Sequence, residues 1–173
     1  MIDINDFQPV LRMGITIDEE AYIAKKLSTM VNGERILDIA PGNCLIPIYL
    51  SLTLNKEIYA VDDWRYFRKE DAEKLIKKYN ARVSLFDGLP KLPFNDKSFS
   101  FIYTVMYFYN LKRDIMKAVI AEIKRVLDDH GVVLIVDPIM TRGKIRKEME
   151  GENFKLLEYS EANALAFSKW EKS

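Results

Sequence analysis

Acidic residues follow several short apolar runs in this sequence, and their spacing is the first indication of chemistry. Asp38 closes ILD, Asp62 and Asp63 close IYAVDD, Asp87 closes VSLFD, and Asp137 lies near the end of GVVLIVDP. Apolar runs of this length are typical of strands buried on both faces of a parallel sheet. Ligands of such sheets bind at the carboxyl ends of the strands. We therefore expect these carboxylates to lie along one edge, where they can accept hydrogen bonds.

The turn after Asp38 is close to a nucleotide-binding loop, but it has fewer glycines. Ala40, Gly42 and Cys44 stand at the three alternating positions where dinucleotide-binding turns carry glycine. Gly42 keeps the second position, which lets a ligand approach. At the first position, Ala40 is acceptable only with a negative φ. At the third, the small side chain of Cys44 can be packed. The start of the following helix favours an anionic group. A structural turn that binds nothing is an equally open interpretation of the loop alone.

Asp62 strengthens the ligand-binding interpretation. It follows Gly42 by 20 residues, the separation at which a carboxylate reaches a ribose diol in dinucleotide-binding folds. A carboxylate can accept from both hydroxyls at once. Asp62 and Asp63 could instead cap the next helix. Trp64 could lie against a purine ring or cover the same helix.

Alternating strands and helices must position these residues. Thr16 and Glu19 have capping-box spacing and predict a helix start. Helical patterns occupy TIDEEAYIAKKLSTMV, LIPIYLSLTL, RKEDAEKLIKKYN and KRDIMKAVIAEIKRVL, and strand patterns occupy RILDIA, EIYAVDD, ARVSLFD, SFIYTVMYF and GVVLIVDP. FKLLEYSE and LAFSKWE predict an antiparallel hairpin after a basic stretch. This order predicts an α/β domain with a parallel sheet and right-handed crossovers.

Composition limits the possible classes of protein. The 173 residues suffice for one domain, and 49% apolar with 30% charged residues describes a globular chain. A net charge of zero gives no overall attraction to nucleic acid or membranes. One cysteine and one histidine argue against disulfides, zinc chemistry and Cys–His catalysis. No long apolar run or signal-peptide pattern occurs, so we expect a cytoplasmic protein without a metal.

The sequence resembles class I S-adenosylmethionine-dependent methyltransferases over nearly its whole length, closest to the small-molecule type related to quinone-biosynthesis enzymes. ILDIAPGNC is similar to the first motif of that family, IYAVDDW to the second-strand motif, and SLFDGLPKLPFNDKSFSFIYTVMYFYNL to the stretch between strands three and four. EIKRVLDDHGVVLIVDP is similar to the fifth-strand region. The resemblance implies a Rossmann-like, doubly wound, mostly parallel seven-stranded sheet with a C-terminal antiparallel hairpin. Residues 1–34 would form an N-terminal lid and helix, and 35–173 the cofactor-binding core of a single domain, 1–173.

This resemblance implies S-adenosyl-L-methionine as cofactor and S-adenosylhomocysteine as product. It places Asp62 at the ribose and Asp87 at the adenine amino group, with Gly88 and Leu89 beside the ring. The predicted cofactor-binding residues are Asp38, Ala40, Gly42, Asn43, Asp62, Asp63, Trp64, Asp87, Gly88, Leu89 and Thr104. The chain departs from the family pattern at two loop glycines, at Ser100, and at Tyr109 and Asn110, where many relatives have a histidine pair.

Catalysis of this kind mainly requires alignment of an activated donor with its acceptor. A base is needed only when the acceptor must lose a proton. Tyr107 and Tyr109 are the candidate catalytic residues, as groups that position the acceptor; packing of an aromatic strand end is the alternative. Met1–Gly14 is the candidate lid, and Arg12 a candidate partner of the cofactor carboxylate.

Three hypotheses follow, and the first is methyl transfer to an unidentified acceptor, expected to be a small molecule. The second is a non-catalytic relative with weakened or lost cofactor binding that acts as a partner subunit, and a homodimer is a further possibility. The third, an NAD-dependent oxidoreductase, is disfavoured by the missing glycines and the hairpin. His130 is expected to be an exposed turn residue. The basic residues Arg142, Lys144, Arg146 and Lys147 indicate a solvated helix face more than an RNA contact.

Overall fold

A computed structural model describes residues 1–173 and shows the predicted alternation of elements. The helices are α1 (Ile17–Leu27), α2 (Leu45–Leu54), α3 (Lys69–Tyr79), α4 (Arg113–Val126) and α5 (Arg142–Gly151). The strands are β1 (Ile36–Ile39), β2 (Ile58–Asp62), β3 (Val83–Asp87), β4 (Phe99–Val105), β5 (Leu127–Pro138), β6 (Phe154–Ala162) and β7 (Leu165–Lys172). α5 corresponds to the basic stretch, which indicated a solvated helix face but has too few apolar residues for an amphipathic pattern.

All seven strands form one sheet in the order β3-β2-β1-β4-β5-β7-β6. The first five strands pair in parallel, whereas β7 runs antiparallel to both β5 and β6. The predicted α/β fold with a C-terminal antiparallel hairpin is therefore confirmed. Strand order reverses beside β1, so the carboxyl ends of β1, β2 and β4 surround the position where such sheets bind ligands.

Local sequence explains where the helices begin and which face each one buries. Thr16 and Glu19 form the predicted capping box at the start of α1. Pro47 lies in the first turn of α2, where its missing N–H removes no helical hydrogen bond. α4 buries one apolar stripe, including Met116 and Ile123, against the sheet. α1, α2 and α3 cover one face of the sheet, and α4 and α5 cover the other.

The N-terminal residues cross the carboxyl end of the sheet instead of extending into solvent. Two short 3₁₀ turns, Ile4–Asp6 and Leu11–Met13, precede α1. Phe7, Val10 and Met13 are buried in the core that contains α1 and α2. We call residues 7–14 the N-terminal strap. It closes over the site described below.

Two further sequence-based expectations concern smaller features. His130 has a positive φ of 60° and a side chain 80% exposed, in a segment of β5 that leaves the regular register with β4. It is thus an exposed, turn-like residue, as predicted. No group of three potential metal ligands occurs in the chain. None of its helices combines the length and apolar character that crossing a membrane requires.

Candidate functional site

Two adjacent strand ends bring acidic side chains together beside the switch point. Asp38 on β1 and Asp62 on β2 are buried, and Asp63 follows at the surface. Burial raises the pKa of Asp38 well above its ordinary value, and the Tyr103 hydroxyl, opposite it on β4, counteracts part of that rise. Asp38 is thus enclosed in the core, whereas Asp62 lines the cavity described below.

The loop after β1 has a left-handed backbone at all three alternating positions. The φ values are 61° at Ala40, 59° at Gly42 and 65° at Cys44. The condition that Ala40 keep a negative φ is therefore not met, and that expectation is wrong. The turn keeps the backbone of a three-glycine loop with only one of the three glycines, and Ala40 and Cys44 carry the resulting strain.

Asp62 fixes this loop from below. Its Oδ2 accepts from the backbone N–H of Gly42 at 3.0 Å, and its Oδ1 accepts from that of Trp64 at 3.2 Å. Burial raises the pKa of Asp62, while the Gly42 N–H and the nearby Arg12 guanidinium favour the charged form. Each oxygen keeps further acceptor capacity, since a carboxylate offers about four lone-pair sites.

A cavity of about 310 Å³ opens beside Asp62 at the carboxyl edge of the sheet. Its lining includes Asp62, Asp63, Leu89 and Tyr107, together with the basic residues Arg12, Arg65 and Lys112. Burial raises the pKa of Tyr107, so its hydroxyl stays protonated at neutral pH. The cavity therefore combines carboxylate acceptors with apolar and aromatic walls, as expected for a ligand that has both a flat ring and hydroxyl groups.

The N-terminal strap covers the ends of β1 and β4 and the Gly42 loop, next to the cavity. The Arg12 guanidinium donates to the Met106 carbonyl at 2.9 Å and to the Ala40 carbonyl at 3.0 Å. It also lies over the Tyr107 ring, 5.6 Å from the ring centroid. A Cβ atom added at Gly42 would lie 2.7 Å from Val10 Cγ2, so the strap occupies the space that this glycine leaves open.

Tyr109 and Asn110 hold the strap in place. The Tyr109 hydroxyl donates to the Arg12 carbonyl at 2.6 Å, and the Asn110 amide donates to the same oxygen at 2.8 Å. Arg12 was expected to pair with a cofactor carboxylate. In this structure it instead binds two main-chain carbonyls at the ends of β1 and β4.

Asn43 and Glu20 form a buried polar pair behind the loop. The Asn43 amide donates to Glu20 Oε1 at 3.0 Å and to the Gln8 carbonyl at 2.8 Å, and its oxygen accepts from the Leu45 N–H at 2.9 Å. Desolvation raises the pKa of Glu20 to about 7. Asn43 therefore joins the strap, α1 and α2. Sequence reasoning missed Glu20, although its position four residues before Ala24 places it on the buried face of α1.

Eight of the eleven predicted cofactor residues lie outside the cavity lining: Asp38, the loop residues Ala40, Gly42 and Asn43, and the four that follow. Asp87 is exposed and pairs with Lys69, its Oδ1 lying 3.3 Å from Nζ. Trp64 is half-buried, and its indole N–H donates to the Phe86 carbonyl at 3.1 Å. Thr104 is fully buried and donates to the Ile39 carbonyl at 3.0 Å, and Gly88 packs tightly against the Lys91 carbonyl. Their assigned roles stay predictions.

Comparison with known proteins agrees with this geometry. A family model described as a methyltransferase domain matches residues 37–135. No curated protein sequence matches the chain. An S-adenosylmethionine-dependent methyltransferase from Aquifex aeolicus has a similar structure, with a TM-score of 0.73, 16% identity, and coverage of 87% of this chain and 89% of that one.

Two further solved structures share the fold at low identity. One is the 1,6-didemethyltoxoflavin-N1-methyltransferase of Burkholderia thailandensis, with bound 1,6-didemethyltoxoflavin and S-adenosylhomocysteine (TM-score 0.72, 12% identity, 87% of this chain and 76% of that one). The other is a sarcosine dimethylglycine methyltransferase candidate from Galdieria sulphuraria (TM-score 0.72, 14% identity, 99% and 94%). Because the family model covers more than half of the chain and the solved methyltransferases share its fold, the chain belongs to the methyltransferase domain family, within the class I S-adenosylmethionine-dependent methyltransferases.

Proposed function

We propose that this chain binds S-adenosylmethionine at the carboxyl edge of its sheet and transfers the methyl group to a small-molecule acceptor. One observation carries the proposal: the buried Asp62 carboxylate supports the Gly42 loop and also lines the cavity of about 310 Å³. The residues fit the adenosine half of the cofactor, because carboxylate acceptors suit a ribose diol and Leu89 and Tyr107 suit a flat ring.

The position of the strap determines whether the methionine half of the cofactor can bind. An ammonium group requires acceptors, and the carbonyls of Ala40 and Met106 are suitable ones at the ends of adjacent strands. Arg12 now uses both carbonyls. Binding of the whole cofactor therefore requires Arg12 and Val10 to move outward.

The bound cofactor supplies a methyl group on a positively charged sulfur, which leaves as a neutral thioether. The protein's own contribution is orientation and charge. Asp62 and Asp63 attract the positive sulfur by Coulomb interaction, and Arg12, Arg65 and Lys112 in the same lining oppose this attraction. Tyr107 remains protonated and can donate a hydrogen bond to an acceptor without acting as a base. Tyr109 positions the strap, since its hydroxyl is already bonded to the Arg12 carbonyl.

The same strap supports a second candidate function, a non-catalytic partner subunit. Val10 fills the space above Gly42, and Arg12 satisfies the two carbonyls, so the part of the site beside the loop needs no cofactor to fill it. A protein that permanently kept this arrangement would retain the fold and bind no cofactor.

Calorimetric titration of the purified chain with S-adenosylmethionine and S-adenosylhomocysteine separates the two functions. We expect micromolar binding, and its loss in the variant Asp62→Ala. Asp129→Ala is the matched control, because Asp129 is an exposed carboxylate paired with Lys97 and lies away from the site. Circular dichroism should show that both variants fold. Absence of binding at millimolar ligand would contradict the enzyme proposal and favour the partner-subunit function.

A further inference from the structure

A second cavity, of about 350 Å³, lies on the opposite face of the sheet from the strap, between α5 and the C-terminal hairpin. Its floor is apolar and is formed by side chains of β5 and β7, including Ile135 and Trp170, and Ile145 of α5 forms one wall. It shares no lining residue with the cavity beside Asp62. Its volume lies within the range that holds small organic ligands in proteins, roughly 300–1,000 Å³.

Asp137 gives this cavity a polar inner end. Its side chain is only 1% exposed, it is one of the lining residues, and neither carboxylate oxygen has a hydrogen-bond partner. The backbone N–H groups of Phe108 and Tyr109 are close enough to favour its charged form, but desolvation is the larger effect and raises its pKa to about 7. Buried carboxylates without partners are rare, because each unpaired acceptor costs free energy. A ligand that donates hydrogen bonds would remove this cost.

The mouth of the cavity has the opposite charge. Arg142 and Arg146 of α5 line it and are exposed, and Tyr159 of β6 lies beside them. The Arg142 guanidinium donates only one weak bond, to the Ile139 carbonyl at 3.3 Å, and Arg146 pairs with Glu150 at the same distance. Both guanidinium groups keep free donors, and a guanidinium fork binds carboxylate well.

From this arrangement we propose that the cavity between α5 and the hairpin binds a small amphipathic molecule with an amine at one end and an acidic group at the other. The amine donates to Asp137, the apolar body lies on Ile135 and Trp170, and the acidic group reaches Arg142 and Arg146. This site is additional to the methyl-transfer site. It also gives part of the basic cluster on α5 a role beyond that of a solvated helix face.

Three related aromatic probes test the proposal. 4-(Aminomethyl)phenylacetate carries both end groups, 4-methylphenylacetate lacks the amine, and 4-methylbenzylamine lacks the acid. Titration of ¹⁵N-labelled protein, followed by NMR, gives both affinity and location. We expect the two-headed probe to bind most tightly and to shift the amides of Gly143 and Ser168 and the Trp170 indole.

Two variants make the test decisive. Asp137→Asn keeps the shape and should weaken the two-headed probe by about tenfold or more, while leaving 4-methylphenylacetate nearly unchanged. Ala166→Leu extends a side chain into the cavity and should abolish binding of all three probes. The spectra themselves show whether each variant folds. No shift around the cavity at millimolar probe in the wild type would overturn the proposal, as would equal affinity of Asp137→Asn for the two-headed probe.

Discussion

Ala40 and Cys44 show that a loop can keep its backbone after its glycines are replaced. Both residues have a positive φ, a conformation that costs an ordinary L-residue about 1–2 kcal/mol relative to its preferred regions. The Ala40 N–H donates to the Val61 carbonyl at 2.8 Å, and the Ala40 carbonyl accepts from Arg12. These tertiary contacts hold the residue where its own preference would not.

Restoring the glycine at position 40 should therefore stabilise the protein. We expect Ala40→Gly to raise the free energy of unfolding by about 0.5–1 kcal/mol, because relief of strain exceeds the added entropy of the unfolded chain. Urea denaturation measures the change. Ala118→Gly is the control: Ala118 is exposed within α4, so the same substitution should destabilise by about 1 kcal/mol there. Destabilisation by Ala40→Gly would show that the loop is not strained.

Glu20 should make stability depend on pH. Desolvation raises its pKa from 4.5 to about 7, and Oε2 has no hydrogen-bond partner. Since the folded state then holds this proton more tightly than the unfolded state, the free energy of unfolding falls as pH rises from about 4.5 to about 7.

The variant Glu20→Gln removes this titration. We expect it to raise the free energy of unfolding at pH 8 by roughly 1–3 kcal/mol and to flatten the dependence between pH 5 and pH 7. Urea denaturation across that range is the measurement. A weaker slope remains, because Asp137 has a pKa raised in the same direction. An unchanged slope in Glu20→Gln would contradict the buried, proton-holding state of Glu20.

At the scale of elements, the N-terminal strap links ligand binding to conformation. It is held by hydrophobic burial of Phe7, Val10 and Met13 and by the hydrogen bonds of Arg12. A strap that must open reduces apparent affinity by the fraction of molecules in the open state. The sulfur of S-adenosylmethionine also carries a positive charge, which the Arg12 guanidinium repels.

Removal of the Arg12 side chain should therefore have opposite effects on stability and binding. We expect Arg12→Ala to lower the melting temperature, since two hydrogen bonds are lost, and to tighten S-adenosylmethionine binding by about tenfold. Calorimetry and thermal denaturation give the two quantities. Arg65→Ala is the control, because Arg65 lines the same cavity but its guanidinium is exposed and bonds no strand carbonyl. Weaker binding by Arg12→Ala would indicate that Arg12 instead holds the cofactor carboxylate.

The elements that could be predicted from the sequence are those that local patterns determine. The capping box at Thr16 and the apolar stripe of α4 require only residues near in sequence. The strap could not be derived in this way, because Arg12 contacts Ala40 and Met106, which are distant in sequence. Asp87 likewise lies outward beside its partner Lys69 on α3, and the spacing of residues in the sequence does not predict that contact.

For the molecule as a whole, the sheet separates two regions of different character. The cavity at the carboxyl edge near β1 and β2 is lined by two acids and three basic residues, and the face beneath α5 has a buried acid with two arginines at the mouth. The net charge of zero does not reveal this difference in charged residues between the two regions. The predicted homodimer or partner subunit stays a prediction.

The most direct measurement of the central claim is an NMR titration of ¹⁵N-labelled protein with S-adenosylhomocysteine, which is stable and lacks the reactive methyl group. We expect saturable shifts at the amides of Gly42, Asp63, Leu89 and Tyr107, together with changes at Val10 and Arg12 as the strap opens. Shifts confined to α5 and the hairpin, or no shifts at millimolar ligand, would contradict cofactor binding at the carboxyl edge of the sheet.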